Sequence, residues 1–357
     1  MRPALGNVAS RYRSIFRHPD GVVPNTLALG YALGGYPIAL ALLGVGGWWL
    51  VPGTLLLASS LVIAAFLIHE CTHQTLFPSP KAGEPDRHER LATVLAWVVG
   101  ACYGDYQRIR DKHLRHHFER ADIVALDYRD LLHRHSVLKR VVEAGQWLGL
   151  PAVELLFHGL VLARPFQAGD RAGQRRVLAV VALRGLYFFA LFSLGGWSLL
   201  LGYCLAYLLF LTVMGFMDAF QHQYLLLVGL DGSRGQSPTQ DRSRFPRGYF
   251  SREYEEARTF TNPISVRFPA LNLLVLNFCH HSVHHQRPAE PWHRLPALEQ
   301  QLYPAGLGAP RVVPFARQVG DFYRYRVARV MAPAGDTLDS GGDPNVGAAG
   351  VSFLTAL

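Results

Sequence analysis

Two long stretches of the chain carry almost no charge, and nearly everything polar lies between and around them. From Gly21 to Ile68 there is no Asp, Glu, Lys or Arg. A helix needs about 20 apolar residues to cross a bilayer. This stretch therefore predicts two crossings, at residues 26–46 and 49–68, joined by a turn within "GVGGWW" at residues 44–49. Trp48 and Trp49 suit the aromatic belt at a membrane surface. Val177 to Met217 repeats the pattern with Arg184 as its single charge. A turn at Gly195–Trp197 divides it into crossings at 177–194 and 197–217. Arg184 either snorkels or faces the bundle interior, and the pattern does not choose between them. The expected fold is an all-α membrane protein with four transmembrane helices in two hairpins and a cytoplasmic helical cap.

The remaining segments read as connectors and cap. Residues 1–25 form a short N-terminal surface segment, and residues 26–300 form the main domain. "FPSPKAGEPDRHER", residues 77–90, is a polar loop with three prolines. "LATVLAWVVGAC", residues 91–102, is apolar but too short to span, which predicts a re-entrant or interfacial helix. Residues 136–162 mix charged and apolar positions at helical spacing, as in a helix lying along the membrane surface. Residues 230–248 are a Gly/Ser/Pro-rich loop. Residues 301–332 are expected to be helical, and 333–357, rich in Gly, Pro and small residues, to be a disordered tail.

Composition agrees with a membrane setting. Half of the residues are hydrophobic and 17% are charged, against about 25% in soluble domains. Of the 35 Lys and Arg, all but Arg184 lie outside the two apolar stretches, and both predicted turns on the opposite side carry none. The positive-inside rule then places both termini and both long polar segments in the cytoplasm, with a bacterial inner membrane as the expected location. The net charge of +9 follows from that topology and calls for no nucleic acid. The N-terminus does not read as a cleaved signal peptide, because the first apolar run is long enough to span. Cys71, Cys102, Cys204 and Cys279 form no C-x-x-C pair, which removes zinc ribbons, iron–sulfur motifs and a disulfide framework.

The chemistry lies in the histidines. "HECTH" carries His69 and His73, "HLRHH" carries His113, His116 and His117, and "HSVHH" carries His281, His284 and His285. Spacings of i, i+3 and i+4 share one helix face, so each box can aim its imidazoles at one point. "DAFQH" adds Asp218 and His222, another i, i+4 pair. His88, His133, His135, His158 and His293 read as surface or satisfied core residues, and His280 points off the face of its box. His69, Glu70 and His73 also spell H-E-x-x-H, the zinc-protease pattern in which the glutamate acts as general base. Asp231 in "LDG" is similar to the aspartate that completes the zinc site of intramembrane proteases, but it sits in a polar loop. A metal transporter is the other alternative, although transporter sites lie near mid-membrane. One catalytic zinc takes three protein ligands. Eight box histidines and His222 are too many for one zinc, and suit two metals with about four or five nitrogens each.

These residues resemble the integral-membrane fatty acid desaturase family, whose three boxes read H-x-(3 or 4)-H, H-x-(2 or 3)-H-H and (H/Q)-x-(2 or 3)-H-H. The resemblance covers roughly residues 25–300. It implies an O2-dependent enzyme with two iron ions, a fatty acyl or related lipid substrate, and His222 as the ninth nitrogen ligand. Asp218 stands where acyl-CoA members have an asparagine that holds a metal-bound water, a departure that bears on the outcome of the reaction. Glu70 is implied to bond a ligating imidazole from behind. Desaturation is the expected reaction, with hydroxylation, ketolation, epoxygenation or alkene-forming decarboxylation as alternatives inside the same superfamily. The chain has no C-x-x-C, no dinucleotide fingerprint and no fused haem domain, so a separate ferredoxin, rubredoxin or cytochrome donor is implied.

Overall fold

A computed structural model describes residues 15–80, 82–124, 128–224, 227–229, 251–304, 312–331 and 352–354. Helix α1 (Val22–Val45) and helix α2 (Leu50–Thr72) form the first apolar layer. Between them, Gly46 and Gly47 take φ of 75° and 59°, a conformation that glycine adopts without steric penalty. The face of α1 turned inward is Ala28, Ala32, Gly35, Ala39 and Leu43, a small-residue stripe at helical spacing. Such stripes let apolar helices approach closely. A Cβ on Gly35 would stand 2.4 Å from Ser60 Oγ. Every residue of α2 from Ser60 to Thr72 is buried, so α2 is the central helix and its end delivers the first box.

Helix α3 (Arg87–Val99) starts on Asp86, whose side chain accepts from the His88 N–H, and ends at Gly100 in the left-handed region. Helix α4 (Tyr106–Glu119) is capped by Asp105 and carries the second box. Strand β1 (Asp122–Val124) pairs in parallel with β2 (Leu227–Gly229). This strand pair was not expected in an all-α chain. Two three-residue strands are too short to show a period-two pattern. Helices α5 (Tyr128–Arg134), α6 (Ser136–Trp147) and α7 (Ala152–Gln167) follow. The expected surface helix over 136–162 is thus two helices, broken where Gly149 takes φ 79° just before Pro151.

Helix α8 (Arg171–Gln221) is one helical run apart from Gly196, at φ 62° and ψ −153°. The rings of Tyr187 and Tyr203 are 5.7 Å apart, whereas 16 residues of straight helix would separate them by about 24 Å. The run therefore bends back at Gly196. Among the described residues, three helical runs are long and apolar enough to cross a membrane: Pro19–Val45, Gly47–Thr72 and Arg171–Gln221. Arg184 donates to the Trp97 carbonyl at the C-terminal end of α3, a favourable place for a cation. It faces the protein, which resolves the choice left open by the sequence.

The C-terminal part adds α9 (Arg252–Arg258), α10 (His281–Gln286) with the third box, α11 (Leu295–Leu302), α12 (Phe315–Tyr325) and α13 (Ala328–Met331). Residues 15–21, the described part of the expected N-terminal surface segment before α1, are mostly exposed and are tied to the rest of the fold: Phe16 is buried against Phe77, Arg17 donates to the Gln74 carbonyl, and Asp20 pairs with Arg294. In the tail expected to be disordered, Ser352 and Phe353 are buried. Apart from Leu354, the rest of that tail lies outside the described residues, as does the whole 230–248 loop with Asp231.

Candidate metal centre

The histidine boxes converge from three helix ends. His69 sits in the last turn of α2 and His73 caps it. His113, His116 and His117 lie on the buried face of α4, and His281, His284 and His285 on the buried face of α10. Two groups result. The ligand atoms of His69, His73, His113, His117 and His284 lie within 4.8 Å of one another, as do those of His116, His222 and His281. His285 joins the second group, its Nε2 2.9 Å from His281 Nε2. The groups adjoin, with the His117 and His285 ring centroids 4.1 Å apart.

The nitrogen spacings fit metal ions. His73 Nε2 is 2.7 Å from His113 Nε2, which is 3.1 Å from His117 Nε2. Two nitrogens bound at right angles to one ion, each about 2.1 Å away, lie about 3.0 Å apart. Among the described residues, His69 Nδ1, His117 Nδ1, His281 Nδ1 and both nitrogens of His284 are buried without a hydrogen-bond partner. The Nδ1 atoms of His117 and His281 are turned away from the clustered Nε2 atoms, but His284 has neither ring nitrogen satisfied, and that buried ring calls for a ligand. Burial holds His113, His116, His117, His281 and His285 far below the ordinary imidazole range, and brings His284 to about 3. The rings are therefore neutral, the form that binds metal.

The far ring nitrogens have oriented partners that sequence reasoning missed. His285 Nδ1 is 3.2 Å from Glu255 Oε1 and 3.1 Å from the Tyr224 hydroxyl, and Glu255 pairs with Arg120 at 3.1 Å. His116 Nδ1 donates to the Ala121 carbonyl at 2.9 Å. Asp122 Oδ1 lies 3.0 Å from His222 Nδ1, outside hydrogen-bonding alignment. Asp122 follows the second box by five residues and Glu255 sits in α9, so neither belongs to a box spacing. A carboxylate soon after the second box is the one available signal, and it fits Glu119 as well as Asp122.

Two expectations need correction. The Glu70 carboxylate touches no imidazole. It accepts from Thr75 Oγ1 at 2.5 Å and from the Trp292 N–H at 3.3 Å. Glu70 follows His69 by one residue, so it is rotated about 100° around α2 and turns toward Thr75 and Trp292 instead of the cluster. Nor is His222 on a common helix face with Asp218. His222 caps α8 with extended φ −156° and ψ 159° and bridges to Thr259. Asp218 still lines a small cavity of about 30 Å³ together with His69, His113, His116, His222 and His281.

The other histidines lie off the clusters. His88 accepts from the Phe77 N–H, His158 bridges the Glu154 carbonyl and the Tyr207 hydroxyl, and His293 contacts Asp20. His280 pairs with Glu299, and His133 and His135 are exposed. Lys112, beside His113, is fully buried, and burial pushes its ammonium down to about 7.

A family model described as fatty acid desaturase matches residues 46–313. The chain belongs to the fatty acid desaturase family. Comparison with curated proteins gives no significant match. Membership in the desaturase family carries a membrane setting, a lipid substrate and oxidoreductase chemistry, and the three boxes are the family's histidine boxes. The matched region takes in α2, α4, α8 and α10, the four helices that supply the clusters. It leaves out all of α1 and everything after Val313, including Phe353.

Proposed function

We propose that the protein is a membrane enzyme that uses two irons and O2 to oxidise an unactivated C–H bond of a fatty acyl or related lipid chain, by desaturation. The observation that carries this reading is the division of nine clustered histidines into a five-nitrogen and a four-nitrogen group at metal-ligand spacing. In it His69, His73, His113, His117 and His284 hold one iron, and His116, His222, His281 and His285 the other. The irons supply O2 activation, which zinc, having no redox chemistry, does not.

The chain's own residues do the rest. Glu255 and Tyr224 hold the His285 ring from behind, and the Ala121 carbonyl holds His116. Phe66, Met214, Phe278 and Phe353 give the pocket beside the histidines apolar walls that exclude water and position a CH2 group. Asp218, on the same wall, offers an acceptor for a water or a proton in place of the family's asparagine. Small differences in substrate placement separate desaturation from hydroxylation.

The reading extends to topology and partners. Four crossings follow if the bend at Gly196 marks a turn at the far membrane surface, and both termini and the boxes then face the cytoplasm, in a bacterial inner membrane. Electrons come from a separate ferredoxin, rubredoxin or cytochrome, steered by the basic face. The test is expression in a host that supplies reductant, with cellular lipids and headspace hydrocarbons profiled by mass spectrometry. New unsaturated lipids support desaturation, alcohols or terminal alkenes support the alternative reactions, and an unchanged profile in cells holding iron-loaded protein counts against the proposal.

A further inference from the structure

Ser352, Phe353 and Leu354 lie more than 200 residues from the second box in sequence, yet they meet it in space. The buried Lys112 ammonium donates to the Ser352 carbonyl at 2.6 Å. The Phe353 ring stands edge-on to His69 at 5.4 Å and to His113 at 5.6 Å. Leu354 packs on the main apolar core.

Two pockets meet at this tripeptide. One, a narrow cavity of about 30 Å³, has the histidines on one side and Phe353 on another. The second, a narrow cavity of about 50 Å³, is apolar apart from a few groups such as Glu154, His158 and Tyr207, and is lined by Ser352 and Leu354. Met214 borders both. The three residues thus alternate between the pockets, with Phe353 on the metal side and its neighbours on the other. None of them falls in the region that matches the family.

We propose that Ser352–Leu354 is the wall between the two pockets, and that Phe353, which lines the histidine pocket together with Met214, sets how far an acyl chain in the Tyr207 pocket advances toward the histidines. Phe353 is then a specificity-determining residue that fixes which carbon is oxidised. The proposal rests on the acyl-chain reading above. Its physical basis is simple: a buried aromatic ring in a narrow passage stops a chain where an alanine would not. The Lys112 hydrogen bond holds the wall to the helix that carries the second box, so the stop is fixed relative to the cluster.

The test uses the full-length protein in its host membrane. Cells are fed palmitic acid carrying a diazirine at successive carbons, photolysed, and the labelled peptides are mapped. The expected result is label on α8 near Tyr207 and Met214 and on residues 330–357. In Phe353→Ala the probe carbon that labels residues 113–120 should shift by two or more positions, and Leu354→Ala should give a smaller shift. The same carbons labelling residues 113–120 in wild type and Phe353→Ala would overturn the wall, as would label that never reaches residues 330–357. No label anywhere would overturn the acyl-chain reading and the wall together. Iron analysis of the same preparations separates the two ideas, since label at the wall in iron-free protein keeps the wall and removes the two-iron reading.

Discussion

The rings of His117 and His285 lie 4.1 Å apart, centroid to centroid, one belonging to each histidine cluster. They come from helices far apart in the chain, and their contact makes the clusters neighbours. Two ions held there would share one solvent-poor chamber.

The carboxylate behind this contact is the first place to test. Glu255 is 3.2 Å from His285 Nδ1 and is held by Arg120. Partners of this kind tune ligand orientation, and their loss lowers metal affinity by about 10–100-fold. Glu255→Ala should release one iron far more readily than the other. Chelator titration followed by elemental analysis reads this, and equal retention of both irons would place Glu255 outside the site.

Glu70 should behave as a structural residue. Its carboxylate satisfies Thr75 and the Trp292 N–H in a buried layer. Removing it leaves a buried donor unpaired, at a cost of about 1–3 kcal/mol. Glu70→Ala should therefore lower the melting temperature, and Glu70→Gln should retain iron and most turnover. A general base would lose nearly all turnover in the Gln variant, so turnover of Glu70→Gln separates the two roles.

Asp218 faces the pocket beside five of the histidines. Asp218→Ala should lower turnover at least tenfold, about 1.4 kcal/mol of barrier. Asp218→Asn should keep iron better than Ala and shift the ratio of alkene to alcohol. If both variants match wild type in iron, turnover and product ratio, Asp218 is a bystander.

Gly196 has φ 62° and ψ −153°, a region essentially closed to residues with a Cβ. Gly196→Ala should cost about 1–3 kcal/mol. The fraction folded in detergent during thermal ramping reports it. Gly185→Ala, at an open position within the same helical run, is the control expected to show no loss.

Much of this was legible in the sequence because it rests on periodicity. The uncharged stretches gave the apolar helices, and the i, i+3, i+4 spacings gave the convergent boxes. What escaped depends on tertiary contacts that spacing does not encode. Glu70 shares a motif with His69 and His73 but sits on another side of α2. His222 follows Asp218 by four residues, yet the helix ends between them. Glu255, Asp122 and Phe353 reach the cluster from segments with no box spacing. Phe353 stands in a Gly-rich stretch whose composition reads as disorder.

The central claim is that the nine histidines hold two irons, and metal stoichiometry tests it most directly. Protein purified without chelators should contain about two irons per chain by elemental analysis, falling to about one when His116 and His281 are both changed to Ala. One zinc per chain, with no iron and with activity restored by zinc alone, would contradict the account and return the H-E-x-x-H protease reading to first place.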